Sequence, residues 1–129
     1  MSAYKQVIKL NPDPLAAFAI SPGWQVGDLI FLSGQAAIDE QGQIVGVDDF
    51  DAQLKQVFAN IDRVLRAAGS SRDQIVKVTI YLTDMSNFPK IVAARKTYFA
   101  PPYPADTTVE VNALALPELM VEIDVIAAA

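Results

Sequence analysis

Three prolines within four residues, Pro101-Pro102-Tyr103-Pro104, constrain the fold of this chain more than any other feature. Each lacks an N–H donor and fixes φ, so the segment must cross the molecule in extended form and no helix can continue through it. The residues beyond it have a period of two. Thr107, Val109 and Val111 alternate with Thr108 and Glu110; after a loop holding Leu116 and Pro117, Val121, Ile123 and Val125 alternate with Glu122 and Asp124. Both patterns describe strands with two unlike faces. Each strand carries a carboxylate on its more polar side, beside a rigid turn that holds Asp106, and the chemistry of the protein is expected there.

Upstream, Tyr4 to Leu10 reads as a first strand, ended by the turn cluster Asn11-Pro12-Asp13-Pro14. A second extended piece, interrupted by Ser21-Pro22-Gly23, is expected from roughly Phe18 to Trp24. Beyond Gly27-Asp28, the apolar run from Leu29 to Gln35 predicts a strand covered on both faces, closing a hairpin. Asp48 or Asp49 can cap a helix in which Phe50, Leu54, Val57, Phe58, Ile61, Leu65 and Ala68 share one face, with Gly69 as its stop. Ile75 to Leu82 alternates as a strand. Asp84, Ser86 or Asn87 can cap a second helix, where Pro89 falls in the tolerant first turn and Phe88, Ile91, Val92, Tyr98 and Phe99 share a face with Arg95.

This order predicts an α+β fold, one mixed six-stranded sheet with two helices on one face. At 129 residues and 52% hydrophobic content, the chain is expected to form one domain over residues 1–129. The other sheet face, with Thr79, Tyr81, Thr108, Met120 and Ile126 beside charges, is too mixed for plain solvent exposure. A subunit interface is the expected remedy, with clefts lined by polar groups at its edges.

The chain has no cysteine and no histidine, which removes thiolate nucleophiles, sulfur ligands, the usual neutral-pH base and the commonest transition-metal ligand. Acid–base work falls to Asp, Glu, Lys, Tyr, a hydroxyl or water. A net charge of −5 with scattered Lys and Arg makes nucleic acid an unsuitable partner. The start, Met1-Ser2-Ala3-Tyr4-Lys5, lacks the basic and apolar regions of a leader, and no apolar run reaches membrane length. The expected location is cytoplasmic.

Several stretches together resemble the RidA/YjgF family. They are Gly27 to Gln35, Asn60 to Gly69, Ile75 to Phe88, Tyr103 to Val111, Leu116-Pro117 and Val121 to Ile123, nearly the whole chain in the right order. The resemblance implies a chorismate-mutase-like fold, a homotrimer with a central barrel, and small-metabolite clefts between subunits. Its deaminase branch hydrolyses enamines and imines such as 2-aminoacrylate to 2-keto acids and ammonia, and the resemblance implies that neither a metal nor an organic cofactor is needed. It also implies that Ser33, Gly34 and Thr108 bind the ligand and that Glu122 positions the attacking water. The family's cleft tyrosine aligns near Ile20, with Trp24 a second aromatic on the same loop, and its cleft asparagine aligns with Val92. Phe88, Ala105 and Thr107 complete the expected lining.

At Asp106 the resemblance breaks, because deaminase members carry there an arginine that pairs with the substrate carboxylate. An ionised Asp106 in the cleft would cost roughly 4 kcal/mol against a carboxylate 4 Å away at an effective dielectric of 20. That favours an imine or enamine that is not a 2-imino acid. Two readings compete with such a deaminase: a non-enzymatic ligand-binding or regulatory trimer, and, weakest, an endoribonuclease or translation inhibitor, for which the acid–base groups are missing. Residue by residue, blander roles compete too. Glu122 is otherwise a solvated or interface carboxylate, Asp106 a turn residue bonding its own backbone, and Ser33 a small packing residue that no histidine can activate. Arg95 reads either as an arginine laying its stem along the core edge or as a displaced carboxylate anchor.

Overall fold

The computed structural model describes residues 4–129, so the leader reading at Met1, Ser2 and Ala3 lies outside it. Its frame is one sheet of β1 (Lys5–Ile8), β2 (Gly23–Val26), β3 (Leu29–Leu32), a two-residue β4 (Gln35–Ala36), β5 (Ile75–Leu82), β6 (Ala105–Glu110) and β7 (Val121–Ala128). The strand order is β1-β2-β3-β7-β5-β6, with β4 also paired to β7. Only β5 and β6 are parallel. A parallel neighbour needs a crossover, which here consists of helix α2 (Phe88–Tyr98) and the proline segment behind it.

Helix α1 (Phe50–Ala67) starts where the Asp49 carboxylate accepts the Ala52 N–H at 3.1 Å. It ends near Gly69, whose φ of 76° suits a residue without Cβ. Its apolar stripe, Phe50, Leu54, Val57, Phe58, Ile61, Val64 and Leu65, is buried together with Val78, Ile80 and Leu82 of β5 and Val121, Ile123 and Val125 of β7. Each such side chain contributes roughly 1.5–3 kcal/mol on leaving water. Helix α2 comes after a short turn in which Asp84 Oδ1 accepts the Ser86 N–H at 2.9 Å, and Pro89 occupies its first turn. It buries Ile91 and Ala94, leaves Val92 half-buried and Phe88 exposed, and stacks Tyr98 on Phe58 with 3.9 Å between ring centroids.

Some expectations need correction. The stretch from Phe18 to Trp24 is not one strand: Ala16–Phe18 forms a 3-10 turn, Ala19 adopts a φ of 59°, and pairing begins only at Gly23, after donor-less Pro22. The apolar run from Leu29 is covered on one face, with Ile30 and Leu32 buried while Leu29 and Phe31 stay 43% and 40% exposed. That run also breaks after Leu32. Phe31 faces Ile126 and Gln35 faces Ile123, so three residues, Leu32, Ser33 and Gly34, stand opposite two, Asp124 and Val125. Such a bulge re-aims the strand.

The faces also differ from expectation. Asp106 and Thr108 pair with Val78 and Ile80, which places them on the helix-covered side. Thr108 therefore does not share the open face with Thr79 and Tyr81, and Met120 precedes β7 and packs partly against the core. Glu110 sits opposite Leu82, on the same side as Asp106, whereas Glu122 pairs with Tyr81 on the other. The two strand carboxylates thus lie on opposite faces. Trp24, Phe31 and Ile126 stand in one register line across the open face, and Trp24 (37%) and Val109 (37%) are exposed there beside Thr107 and Asp124.

Candidate functional site

The bulge at Leu32–Gly34 builds the site. Ser33 is held by two bonds to the loop before β2: its N–H donates to Pro22 O at 2.9 Å and its hydroxyl to Ser21 O at 2.6 Å. With that proton engaged, the hydroxyl can still accept a bond but is not poised as a nucleophile. Gly34 next to it has no side chain, and the Glu122 carboxylate occupies that space. A Cβ at position 34 would overlap Glu122 Oε2 and lie 2.9 Å from its Cδ.

Glu122 sits at a cavity of about 330 Å³ that Ile20, Ser33 and Gly34 also line. Its other walls are mostly apolar, from Leu10, Leu15, Phe18, Leu116 and Leu119. Burial is the main reason the Glu122 carboxyl holds its proton above the usual glutamate range, and the Asp124 charge adds to it. Asp124 in turn raises the Tyr81 phenol, with burial next in importance.

Two amide side chains of α1 tie down backbone at or beside the cavity, and periodicity gave no reason to single them out. Gln53 is fully buried. Its Nε2 donates to Gly46 O at 3.0 Å and Glu118 O at 2.8 Å, and its Oε1 accepts the Met120 N–H at 2.9 Å. Asn60 Nδ2 donates to Ala36 O and Ile38 O, both at 2.8 Å. The available signal is two amides seven residues apart within an apolar stripe, since buried amides are retained where backbone needs partners.

The remaining expected residues lie elsewhere on the protomer. Trp24 is on the open sheet face, with Lys5 Nζ 4.7 Å from its ring centroid. Ala105 and Thr107 also face that side, where Thr107 Oγ1 accepts from Lys77 Nζ at 2.8 Å. Asp106 and Thr108 form a second group on the helix side of β6 with Arg95 and Phe88 of α2, and Val92 is half-buried on the same helix. Val78 pairs with both Asp106 and Val125, so Asp106 and Val125 share a face, while Glu122, three residues from Val125, points to the other. Within one chain Glu122 and Asp106 therefore stand on opposite faces of the sheet.

Asp106 is not the uncompensated charge that its position in the sequence suggests. Arg95 of α2 grips it with a fork, Nε to Oδ2 at 3.0 Å and Nη2 to Oδ1 at 2.9 Å. Thr108 Oγ1 accepts from Arg95 Nη2 and donates to Asp106 Oδ1, each at 2.9 Å. Among the described residues no group of three or more Asp or Glu side chains is arranged to hold a metal, and no helix is long and apolar enough to cross a membrane.

Known proteins share this framework over nearly its full length. A RutC family protein of Pyrococcus abyssi is 38% identical over 124 residues, covering 95% of this chain and 96% of that one. Reactive Intermediate Deaminase A, chloroplastic, of Arabidopsis thaliana is 34% identical, covering 98% of this chain and 67% of its own. The crystal structure of a Rid-family protein of unknown function, YyfA from Yersinia pestis, superposes with a TM-score of 0.89 at 37% identity, covering 97% of this chain and 99% of that one. The family described as Endoribonuclease L-PSP matches residues 9–129, and with these relatives it places the chain in the RidA/YjgF family.

Proposed function

We propose that the protein binds a small metabolite in a cleft shared between copies of the chain and hydrolyses an enamine or imine there. The observation that carries this reading is the Glu122 carboxylate, laid across Gly34 at the mouth of an apolar cavity with its proton affinity raised by burial. A carboxyl moved toward neutrality is suited to pass a proton both ways. Glu122 takes a proton from water as the oxygen attacks the C=N carbon, then returns it to nitrogen. The carbinolamine collapses to C=O and ammonia, so one imine and one water give one carbonyl compound and one ammonia. Ser33 and the backbone at Gly34 orient the substrate at this half of the site.

The second half of the site, Arg95, Asp106 and Thr108 with Phe88 and Val92, comes from a neighbouring copy. Closure as a trimer, with the three open faces turned inward as a barrel, would cover the exposed Trp24, Leu29 and Phe31. A relative is named a reactive intermediate deaminase, which supports the reaction class. The pairing of Asp106 with Arg95, together with Ile20 and Val92 in place of the family's tyrosine and asparagine, favours a second reading, a trimer that binds ligand without turning it over.

The test is to generate imines in situ from neutral amines, cationic amines and amino acids, and to monitor carbonyl release with protein, without it, and with Glu122→Gln. Acceleration that Glu122→Gln abolishes is expected. Absence of acceleration for every class removes the catalytic reading, and ligand binding that survives the substitution then supports the second.

A further inference from the structure

Where the family resemblance implies a carboxylate-binding arginine, this chain has a pair with no net charge, Arg95 and Asp106, and the geometry of that pair specifies what it can bind. Arg95 has five N–H groups in a fixed plane. Nε and Nη2 are committed to Asp106 and Thr108. Nη1 makes no bond to protein among the described residues, and the Arg95 side chain remains 27% exposed while that of Asp106 is 18% exposed. The Phe88 ring lies 5.3 Å from the guanidinium carbon and supports one flat face of the fork. The group stands on β6, which ends the strand order and has a neighbour on one side only.

An incoming carboxylate would need two parallel N–H donors and an unbalanced positive charge. It would meet neither, because Asp106 already takes the two-point face and cancels the charge. A neutral acceptor, such as an amide or ketone oxygen, asks only for the N–H groups left on Nη1. We propose that Arg95 is the residue that meets the ligand and that Asp106 masks it. The cleft thereby selects an imine or enamine whose anchoring end is an uncharged carbonyl, and loss of the Asp106 charge converts the same site to a carboxylate binder. This selectivity rests on the cleft being shared between copies of the chain and specifies its substrate class.

The experiment titrates the full chain with pyruvate and with pyruvamide, two probes that differ only in the anchoring group. Backbone NMR signals of Gly34 and Glu122 report occupancy of the cleft. Wild type is expected to bind pyruvamide about tenfold more tightly than pyruvate, and Asp106→Asn to bind pyruvate at least about tenfold more tightly than wild type does. Adding Arg95→Gln to Asp106→Asn should erase that gain. Asp106→Ser serves if the asparagine variant does not fold. If pyruvamide perturbs Gly34 and Glu122 but neither Asp106 variant gains pyruvate affinity, the masking proposal is overturned and the cleft stands. If neither probe perturbs Gly34 or Glu122 in any variant, the cleft reading falls, and the proposal with it.

Discussion

Substituting Gly34 by alanine tests the site with one methyl group. Gly34 is not among the glycines of positive φ, which are Gly27, Gly42, Gly46 and Gly69, so alanine adds no backbone strain. The added Cβ would overlap Glu122 Oε2 and lie 2.9 Å from Cδ. Ordinary carbon contacts begin near 3.5 Å, so the carboxyl has to retreat by about 0.6 Å or more. Turning one flexible side chain costs about 0.5–1.5 kcal/mol, and replacing glycine recovers part of that from the unfolded chain. Global stability should therefore change by less than about 1 kcal/mol. The site should respond far more, because a misplacement of about 1 Å is worth on the order of a hundredfold in rate.

Two measurements check this. Carbon-detected NMR titration of the Glu122 carboxyl should show its proton affinity falling toward the ordinary glutamate range as it moves into solvent, and imine hydrolysis should drop by about two powers of ten. In a Glu122→Ala background, Gly34→Ala should have no further effect. A folded Gly34→Ala protein in which Glu122 titrates as before and turnover is intact would refute the claim that Gly34 makes room for this carboxylate.

Gln53→Met keeps the volume but strands Gly46 O, Glu118 O and the Met120 N–H; at about 1 kcal/mol for each lost bond it should destabilise by roughly 3 kcal/mol or more in urea unfolding at fixed protein concentration. Because Glu122 keeps its proton to higher pH in the folded chain than in the unfolded one, the native state binds more protons between those two pKa values. Stability then falls as pH rises through that window, and Glu122→Gln should flatten this slope and be the more stable protein at pH 7. Asp49→Ala removes the α1 cap and should cost about 1 kcal/mol with no change in ligand affinity.

The parts of the fold legible in the sequence are those set by local periodicity. Phe50 to Leu65 recur at helical spacing and Val78 to Leu82 alternate, and both form as their spacing predicts because a side chain's direction repeats with fixed geometry inside one element. The same alternation put Val76 on the core face, but a register break between Ile75 and Lys77 buries Ile75 and leaves Val76 48% exposed. The segments whose pattern misleads depend on neighbours distant in sequence. Leu29 to Gln35 reads as an unbroken strand, yet its register against Ile123 and Ile126 inserts an extra residue, and that bulge is what brings Ser33 and Gly34 to Glu122. Gln53 and Asn60 look like interruptions of a stripe until the loops they hold are in view.

The amino acids alone determined that any acid–base work falls to Asp, Glu, Lys, Tyr, a hydroxyl or water, since the chain contains neither histidine nor cysteine. They also determined the order of the elements and a proline crossing that precludes a helix. Only the tertiary structure decided the charge at Asp106, which depends on where α2 lies over β6. The parallel register of β6 on β5 points Asp106 toward the helix side, and the course of α2 carries Arg95 onto it from 11 residues away. A formal charge belongs to a residue, but the field a ligand meets is set by what packs beside it.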